Sequence, residues 1–354
     1  MIKVGIIGGA GYTAGELIRL LLHHPEADIA FVHSTSNAKN PLTDVHEGLL
    51  GETDMKFTDR LPLKSVDVLF FCMGHGKSAE FLEEHPVPQN VRIIDLAQDF
   101  RVKAHPQPLP GEGGKDSPSS ASSSTVTPPW GGAGGGLSWI YGLPEINKAE
   151  IAKAQHVANP GCFATAIQLG LLPLAANWLL HDDIMVNAIT GSTGAGVKPA
   201  ATTHFSWRSG NMSIYKAFRH QHVPEIRQSL AQLQPGFNAS VDFIPYRGDF
   251  ARGIFCTEVV RIDPEVPEED IVKLYKQFYE TAAFTHYVDR DLDLKQVVNT
   301  NKALVHVEKH DSKLLITSVI DNLLKGASGQ AVQNMNLMFG IDEHAGLDLK
   351  PSAF

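Results

Sequence analysis

A short apolar run that breaks into glycines and then enters an amphipathic helix opens this chain, and it constrains the fold more than any other feature. Residues 3–8 (KVGIIG) are apolar and β-rich, and Gly8-Gly9-Ala10-Gly11-Tyr12-Thr13-Ala14-Gly15 follows at once. From Glu16 to His24, Leu17, Ile18, Leu21 and Leu22 recur at helical spacing until Pro25 stops the pattern. A glycine turn between a strand and a helix leaves free N–H groups at the positive end of the helix dipole, where a pyrophosphate binds. Gly8 permits the tight turn and Gly11 the close backbone approach, so Gly8, Gly11, Tyr12, Thr13, Ala14 and Gly15 are the predicted dinucleotide contacts. The spacing is GxxGxxxG rather than GxGxxG, and a purely structural glycine turn is the alternative; the placement after a strand and before a helix carries the functional reading.

Further strands are predicted at 28–33, 66–73 and 91–96, alternating with helical segments. That rhythm implies a parallel, doubly wound sheet. Residues 104–138, rich in Pro, Gly and Ser, interrupt it and read as a long low-complexity loop, either a functional flap or a tolerated insertion. Beyond Tyr141 the texture changes. Strands at 184–190, 241–245, 253–262, 303–308 and 314–321 suit a mixed or antiparallel sheet, and 267–283 reads as an amphipathic helix whose leading acids suit its dipole. A last helix at 327–340 is expected to return to the first domain. The predicted class is α/β: a dinucleotide-binding domain over 1–155, completed by a C-terminal helical segment over 326–354, and an α+β domain over 156–325.

Discrimination between dinucleotides is written at the end of the second strand. NAD enzymes place a carboxylate there to hold the ribose 2′-hydroxyl. This chain has His33-Ser34-Thr35-Ser36-Asn37-Ala38-Lys39 and no acid before Asp44. Ser34, Ser36 and Lys39 can instead receive a 2′-phosphate, which predicts NADP; taken singly, each is also what a solvated turn would carry. Gly74-His75-Gly76-Lys77-Ser78 resembles the end of a phosphate loop, but the glycine required at position 71 is Phe71, which excludes an ATPase of that kind.

The chain has 354 residues and a net charge of -9, with no basic stripe for neutralising nucleic-acid phosphates. Its N-terminal apolar run is too short for a signal peptide or a membrane span. Three cysteines without a CxxC pair suggest free thiols in a reducing compartment, so the expected location is the cytoplasm.

Among the three, Cys162 stands out. In Asn159-Pro160-Gly161-Cys162, Asn is a favoured helix cap and Pro suits the first helical position, ahead of an apolar helix through Leu172. A cysteine in that first turn can be held as a thiolate by backbone N–H groups and the dipole. The alternative is a buried apolar filler, as read for Cys72 and Cys256.

The stretch VANPGCFATAIQLGLLP at 157–173 resembles the active-site signature of the N-acetyl-γ-glutamyl-phosphate reductase family. The likeness extends to GGAGYTAGELIRLL at 8–22, DFR at 99–101, YGLPE at 141–145, STGAG at 192–196, HQHVPEI at 220–226, RGI at 252–254 and DNLLKGASGQAVQN at 321–334. It implies a Rossmann domain, an α+β catalytic domain like that of aspartate-semialdehyde and glyceraldehyde-3-phosphate dehydrogenases, and a homodimer or homotetramer built through the second sheet. The 104–138 segment departs from the more ordered stretch expected there. The implied reaction is attack of Cys162 on an acyl phosphate, loss of phosphate, and hydride reduction of the thioester to an aldehyde. The implied acid–base histidine lies in the HxH element, His220 or His222, with His220 favoured and His222 placed with Glu225 at the substrate. Ser192, Gly194, Ala195, Gly196 and Asn322 are the implied nicotinamide-side contacts. Asn159, Arg101 and Arg252 complete the substrate set, although surface ion pairing would equally explain either arginine. No metal is implied; HxHxxE as a ligand set is the competing reading of the histidines. A reductase of N-succinyl-glutamyl or aminoadipyl phosphate, and a non-catalytic NADP-binding redox sensor, are the alternative functions.

Overall fold

The structure is a computed structural model and describes residues 1–102 and 138–352. The low-complexity segment 104–138 therefore lies, apart from Ser138, outside the described residues. In the first domain β1 (Ile2–Ile7), α1 (Tyr12–Leu22), β2 (Ala27–His33), β3 (Val68–Phe71), α2 (Lys77–Glu84), β4 (Arg92–Asp95), β5 (Trp139–Tyr141), α3 (Pro144–Ile151) and β6 (His156–Ala158) follow in order. Their six strands pair in parallel in the order β2-β1-β3-β4-β6-β5. The chain reverses its direction of travel across the sheet between β1 and β3, and the glycine turn sits at that switch point, where such sheets bind ligands. All four residues of β3 are buried, as a strand covered on both faces requires.

The second domain comprises α4 (Cys162–Ala176), β7 (Ile184–Thr190), α5 (Phe205–Arg208), β8 (Ser213–Ile214), α6 (Val223–Leu233), β9 (Val241–Arg247), β10 (Ile254–Arg261), α7 (Glu268–Phe278), β11 (Thr285–Tyr287), β12 (Ala303–His310) and β13 (Lys313–Ile320). Its sheet is mixed, in the order β11-β12-β13-β10-β7-β9-β8. Burial alternates along β10 and β12, as the two-residue period of a strand dictates. One face packs under α4, α6 and α7, while Met185, Phe255 and Leu304 remain partly exposed on the other. Helix α4 is apolar all round and buried from Phe163 to Ala175, the mark of a helix enclosed in a core. The last helix, α8 (Gly329–Phe339), returns as expected: Ala331, Val332, Met335 and Met338 share the core of Leu17 and Leu21.

Several boundaries move. Helix α1 begins at Tyr12 rather than Glu16, so Gly15 lies inside it, facing His46. Helix α7 ends at Phe278 rather than 283. The final helical segment opens with a π turn over Leu324–Ser328. Strand β6, which a division at 155/156 assigns to the second domain, is hydrogen-bonded between β4 and β5 in the first. Cys72 stands one residue beyond β3, not within it.

The C-terminal segment is anchored by an ion pair that the sequence did not advertise. Lys325 is fully buried and lies 2.8 Å from Glu145, which also accepts from Thr285 at 2.6 Å. Against the cost of burial, Lys325 holds the Glu145 carboxyl below its usual range. Lys325→Met should cost about 3–5 kcal/mol, because it strands a buried carboxylate, whereas Lys325→Met with Glu145→Met should recover most of that loss. Denaturant unfolding of the two variants checks both values; equal midpoints would contradict the pairing.

Candidate active site

Cys162 is the first residue of α4, and the cap is Gly161. This corrects the expectation that Asn159 caps the helix with Pro160 at its first position. Asn159 is buried; its amide donates to the Ala327 carbonyl at 3.0 Å and its oxygen accepts from Asn334 at 3.0 Å. It holds the loop against the C-terminal segment, and its side chain is spent on protein partners. The cap group that Asn159 does not supply comes from elsewhere: the Gly161 N–H donates to Glu225 at 3.1 Å, across 64 residues of sequence. Two glycines bring the chain this close. A Cβ at Gly161 would run into His222 and Arg101, and one at Gly326 would come within 2.8 Å of the Cys162 Cβ.

Glu225 gathers the surrounding groups. One carboxylate oxygen accepts from Gly161 and from the Tyr141 hydroxyl at 2.9 Å; the other faces Arg101 at 3.4 Å and His222 at 3.8 Å. Tyr141 in turn accepts from Gln168 of α4 at 2.8 Å. Arg101 is buried, donates to the Leu96 carbonyl at 2.7 Å, and keeps its Nε without a partner among the described residues. The surface salt bridge entertained for Arg101 is thus replaced by a buried position beside the nucleophile. His220 and His222 are also buried, with ring centres 4.6 Å apart. The His222 N–H donates to the His220 Nδ1 at 3.2 Å, which places the proton of neutral His220 on Nε2.

The electrostatics differ from the thiolate expected of a helix N-terminus. Burial pushes the Cys162 thiol up to about 11; the Phe163 N–H and Arg101 pull it down, Glu225 pushes it up, and burial wins. Burial, His222 and Lys216 bring His220 down to about 3, and burial with Arg101 and His75 takes His222 well below its ordinary value. The resting site therefore holds a neutral thiol and two neutral imidazoles. Desolvation and Asp95 push the Cys72 thiol up to about 12, and burial and Glu258 raise Cys256 well above its ordinary value.

On the dinucleotide side, Gly8 adopts φ +83 at the turn, and a Cβ at Gly11, the cap of α1, would meet nothing within 4 Å. The helix start is open and uncapped by any side chain, which fits a bound pyrophosphate. Tyr12 is exposed there, Ala14 is buried, and the Thr13 carbonyl accepts from Ser328 at 2.7 Å. At the end of β2, Asn37 donates to Ser34 and Ser36 at 3.3 and 3.0 Å, and Lys39 follows with φ +73. The turn Ser192–Ala195, with Gly194 inside it and Gly196 after it, is tied down by Asn322, which donates to Thr193 at 3.0 Å and accepts from Gly253 at 2.7 Å. Arg252 is neither a surface pair nor free for substrate. It forks onto Asp321 at 3.0 and 3.1 Å and reaches Glu16 of α1 at 2.7 Å, joining the two domains.

Sequence reasoning missed Tyr141, Gln168 and His75, whose imidazole is held down by burial and Arg101. It also missed Asp99, which accepts from the Gly76 and Ser78 N–H groups and so occupies the start of α2, the site that the false phosphate loop suggested. The 99–101 and 141–145 motifs were the available signal. Among the described residues, the group whose donor atoms could hold a metal is Asp291, His306 and Glu308, not HxHxxE.

A cysteine at the mouth of a buried helix, together with a doubly wound sheet whose glycine turn is open, is the layout of a dinucleotide-dependent dehydrogenase. Residues 3–154 match the semialdehyde dehydrogenase NAD binding domain, and 162–322 match the semialdehyde dehydrogenase dimerisation domain. Aspartate semialdehyde dehydrogenase II of Vibrio cholerae has the same fold, with a TM-score of 0.65 over 96% of this chain and 98% of that one at 16% identity. Aspartate semialdehyde dehydrogenase with NADP from Candida albicans superposes with 0.64 over 96% and 98% at 15% identity. The N-acetyl-gamma-glutamyl-phosphate reductases of Phocaeicola vulgatus and Bacteroides fragilis are 61% and 60% identical over 354 residues, covering 100% of both chains. The chain belongs to the N-acetyl-gamma-glutamyl-phosphate reductase family.

With a thiol near 11, roughly one in ten thousand molecules is ionised at pH 7. Iodoacetamide labelling of Cys162 in the ligand-free protein should be slow and rise about tenfold per pH unit from 7 to 10. Peptide mapping, with Cys162→Ser as the blank, checks this; a plateau below pH 9 would show a thiol already activated by the fold.

Proposed function

We propose that this chain reduces N-acetyl-γ-glutamyl phosphate to N-acetyl-glutamate 5-semialdehyde and phosphate, with NADPH as reductant, as a step of arginine biosynthesis. The observation that carries the reading is the placement of Cys162 on an α4 start whose Gly161 N–H is held by Glu225, the carboxylate that also faces Arg101 and His222. An acyl phosphate is already activated, so the site needs a nucleophile rather than ATP. The Cys162 sulfur bonds to the acyl carbon, the carbon–oxygen bond to phosphate breaks, and the thiol proton leaves with the phosphate. Arg101 holds the departing phosphoryl group with the guanidinium donors that the protein leaves unused.

Gly8, Gly11, Tyr12, Thr13, Ala14 and Gly15 would hold the pyrophosphate, with Ser34, Ser36 and Lys39 at the 2′-phosphate and the 192–196 turn and Asn322 towards the nicotinamide. When bound, the dinucleotide supplies a hydride. The chain's own part in that second half is to hydrogen-bond the developing oxyanion, for which neutral His220 presents Nε2–H; the sulfur–carbon bond then breaks to leave the aldehyde, and the sulfur regains its proton from solvent. His222 and Glu225 position the loop and face the substrate, with Asn159 behind them. Arg252 acts by fixing the 250–253 strand entry to α1 rather than by touching substrate. The half-exposed outer face of the second sheet, within the segment matched as a dimerisation domain, supports a homodimer or homotetramer.

In the reverse direction, NADP⁺, phosphate and the acetylated semialdehyde should yield NADPH absorbance. Cys162→Ser should lower kcat by about 10³-fold or more while NADP⁺ still binds. N-succinyl and aminoadipyl semialdehydes should be turned over at least tenfold less well than the acetyl compound, and a preference for either would reassign the substrate. NADP⁺ should outperform NAD⁺ in kcat/KM, and Ser36→Asp should shift that ratio towards NAD⁺ by an order of magnitude, read from initial rates; a ratio unmoved by Ser36→Asp would remove the β2 end from the 2′-phosphate site.

A further inference from the structure

The substrate proposed above carries a second anion, an α-carboxylate at the opposite end of its carbon chain from the acyl phosphate, and Arg101 cannot serve both. We infer that Arg208 and Arg247 form the subsite for this carboxylate, an inference that rests on the reaction just described.

Arg208 ends α5, is 8% exposed, and donates through Nη2 to the Thr190 carbonyl at 3.1 Å. That bond fixes the guanidinium at the end of β7, immediately before the 192–196 turn. Its Nε is buried and has no partner among the described residues, and no ion pair there involves it. A buried charged donor without an acceptor is costly, and a carboxylate is the partner whose geometry matches the unused edge of a guanidinium. Arg247 ends β9, opposite Thr190 in the register of the two parallel strands, and stacks over the Tyr215 ring at 4.0 Å. The Arg208 guanidinium, held on the Thr190 carbonyl, thus lies at the end of β7 opposite the strand end from which Arg247 issues.

Tyr215 joins this pair to the nucleophile. Its ring meets His220 edge-on, with centres 5.8 Å apart. Its phenol is pushed up by burial and by Cys162, and drawn down by Arg247 and Arg208, so all three groups act on one hydroxyl. The one carboxylate acting on Arg208 is Asp249, which is committed to the Gly210 N–H at 2.6 Å. The acyl-phosphate end belongs to Arg101, the arginine whose charge acts on Cys162 and His222. The arrangement is a pair of cations linked through Tyr215 to the surroundings of Cys162 and His220.

The test compares the acetylated semialdehyde with its α-methyl ester in NADP⁺ reduction, for the wild type, Arg208→Gln, Arg247→Gln and Arg208→Lys. The wild type should prefer the free acid by about 10–100-fold in kcat/KM, the worth of one or two charge-assisted hydrogen bonds. Either glutamine variant should reduce that preference to below about threefold, mainly through KM for the acid, with NADP⁺ affinity unchanged; Arg208→Lys should restore part of it. Glutamine variants that keep the wild-type preference, or a wild type that accepts ester and acid alike, overturn the assignment while leaving the reaction intact. A wild type that turns over neither compound instead overturns the reaction and this subsite together. Should Arg208→Gln fail to fold, the half-buried Arg247 decides the matter through its own ratio.

Discussion

The position of the nucleophile depends on the buried carboxylate of Glu225. The first N–H groups of a helix need acceptors, and a buried carboxylate needs donors; here each supplies the other's need. Glu225 is the third residue of α6, so it lies one turn beyond His222, the α6 cap, and His222 in turn holds His220 through its own N–H. The HxHxxE spacing is therefore a consequence of one helix start docking against another. The same carboxylate accepts from Tyr141, the last residue of β5, and faces Arg101, which follows β4. Three segments distant in sequence converge on one group, and removing it would leave an uncapped α4, an unpaired arginine and a displaced cysteine at once.

A second set of contacts sets the distance between the glycine turn and the sulfur. Arg252 spans Glu16 of α1 and Asp321 at the end of β13. Against the cost of burial, Arg252 holds the Glu16 carboxyl below its usual range, so this link is ionised. Ser328 donates to the Thr13 carbonyl within the same few turns, and Gly326 packs on Cys162. The segment from Asp321 to Asn334 thus touches both halves of the reaction. That explains why its final helix must return to the first sheet, and why a fully buried Lys325 is retained with Glu145 as partner.

Much of this was legible from the residues. Alternating strands such as 184–190 were placed to the residue, because a half-buried strand writes its period into the sequence. Strands β5 and β6 were not, since three residues are too few for a period to register. Cys162 was found from its helix start, yet the cap was misassigned: local statistics favour Asn159, while the actual acceptor arrives from 64 residues away. The same limitation hid the fate of Arg252, whose partners lie 236 and 69 residues distant, and the state of the thiol, which is decided by burial rather than by the dipole.

That resting state has a consequence for how charge enters the site. The chain carries a net charge of -9, and the proposed substrate is itself a polyanion, so the global field repels it. Attraction must therefore be local, and Arg101 Nε and Arg208 Nε, buried donors without acceptors among the described residues, are the groups that the proposed reaction places it on. The imidazoles are kept neutral by the same burial that keeps the thiol protonated, so the sulfur adds no second anion to the Glu225 carboxylate that Arg101 already faces. The bound substrate then supplies the missing negative charge, and its phosphoryl group provides the acceptor for the thiol proton. On the proposed reaction, a cationic frame around the un-ionised Cys162 thiol couples sulfur ionisation to the arrival of the acyl phosphate.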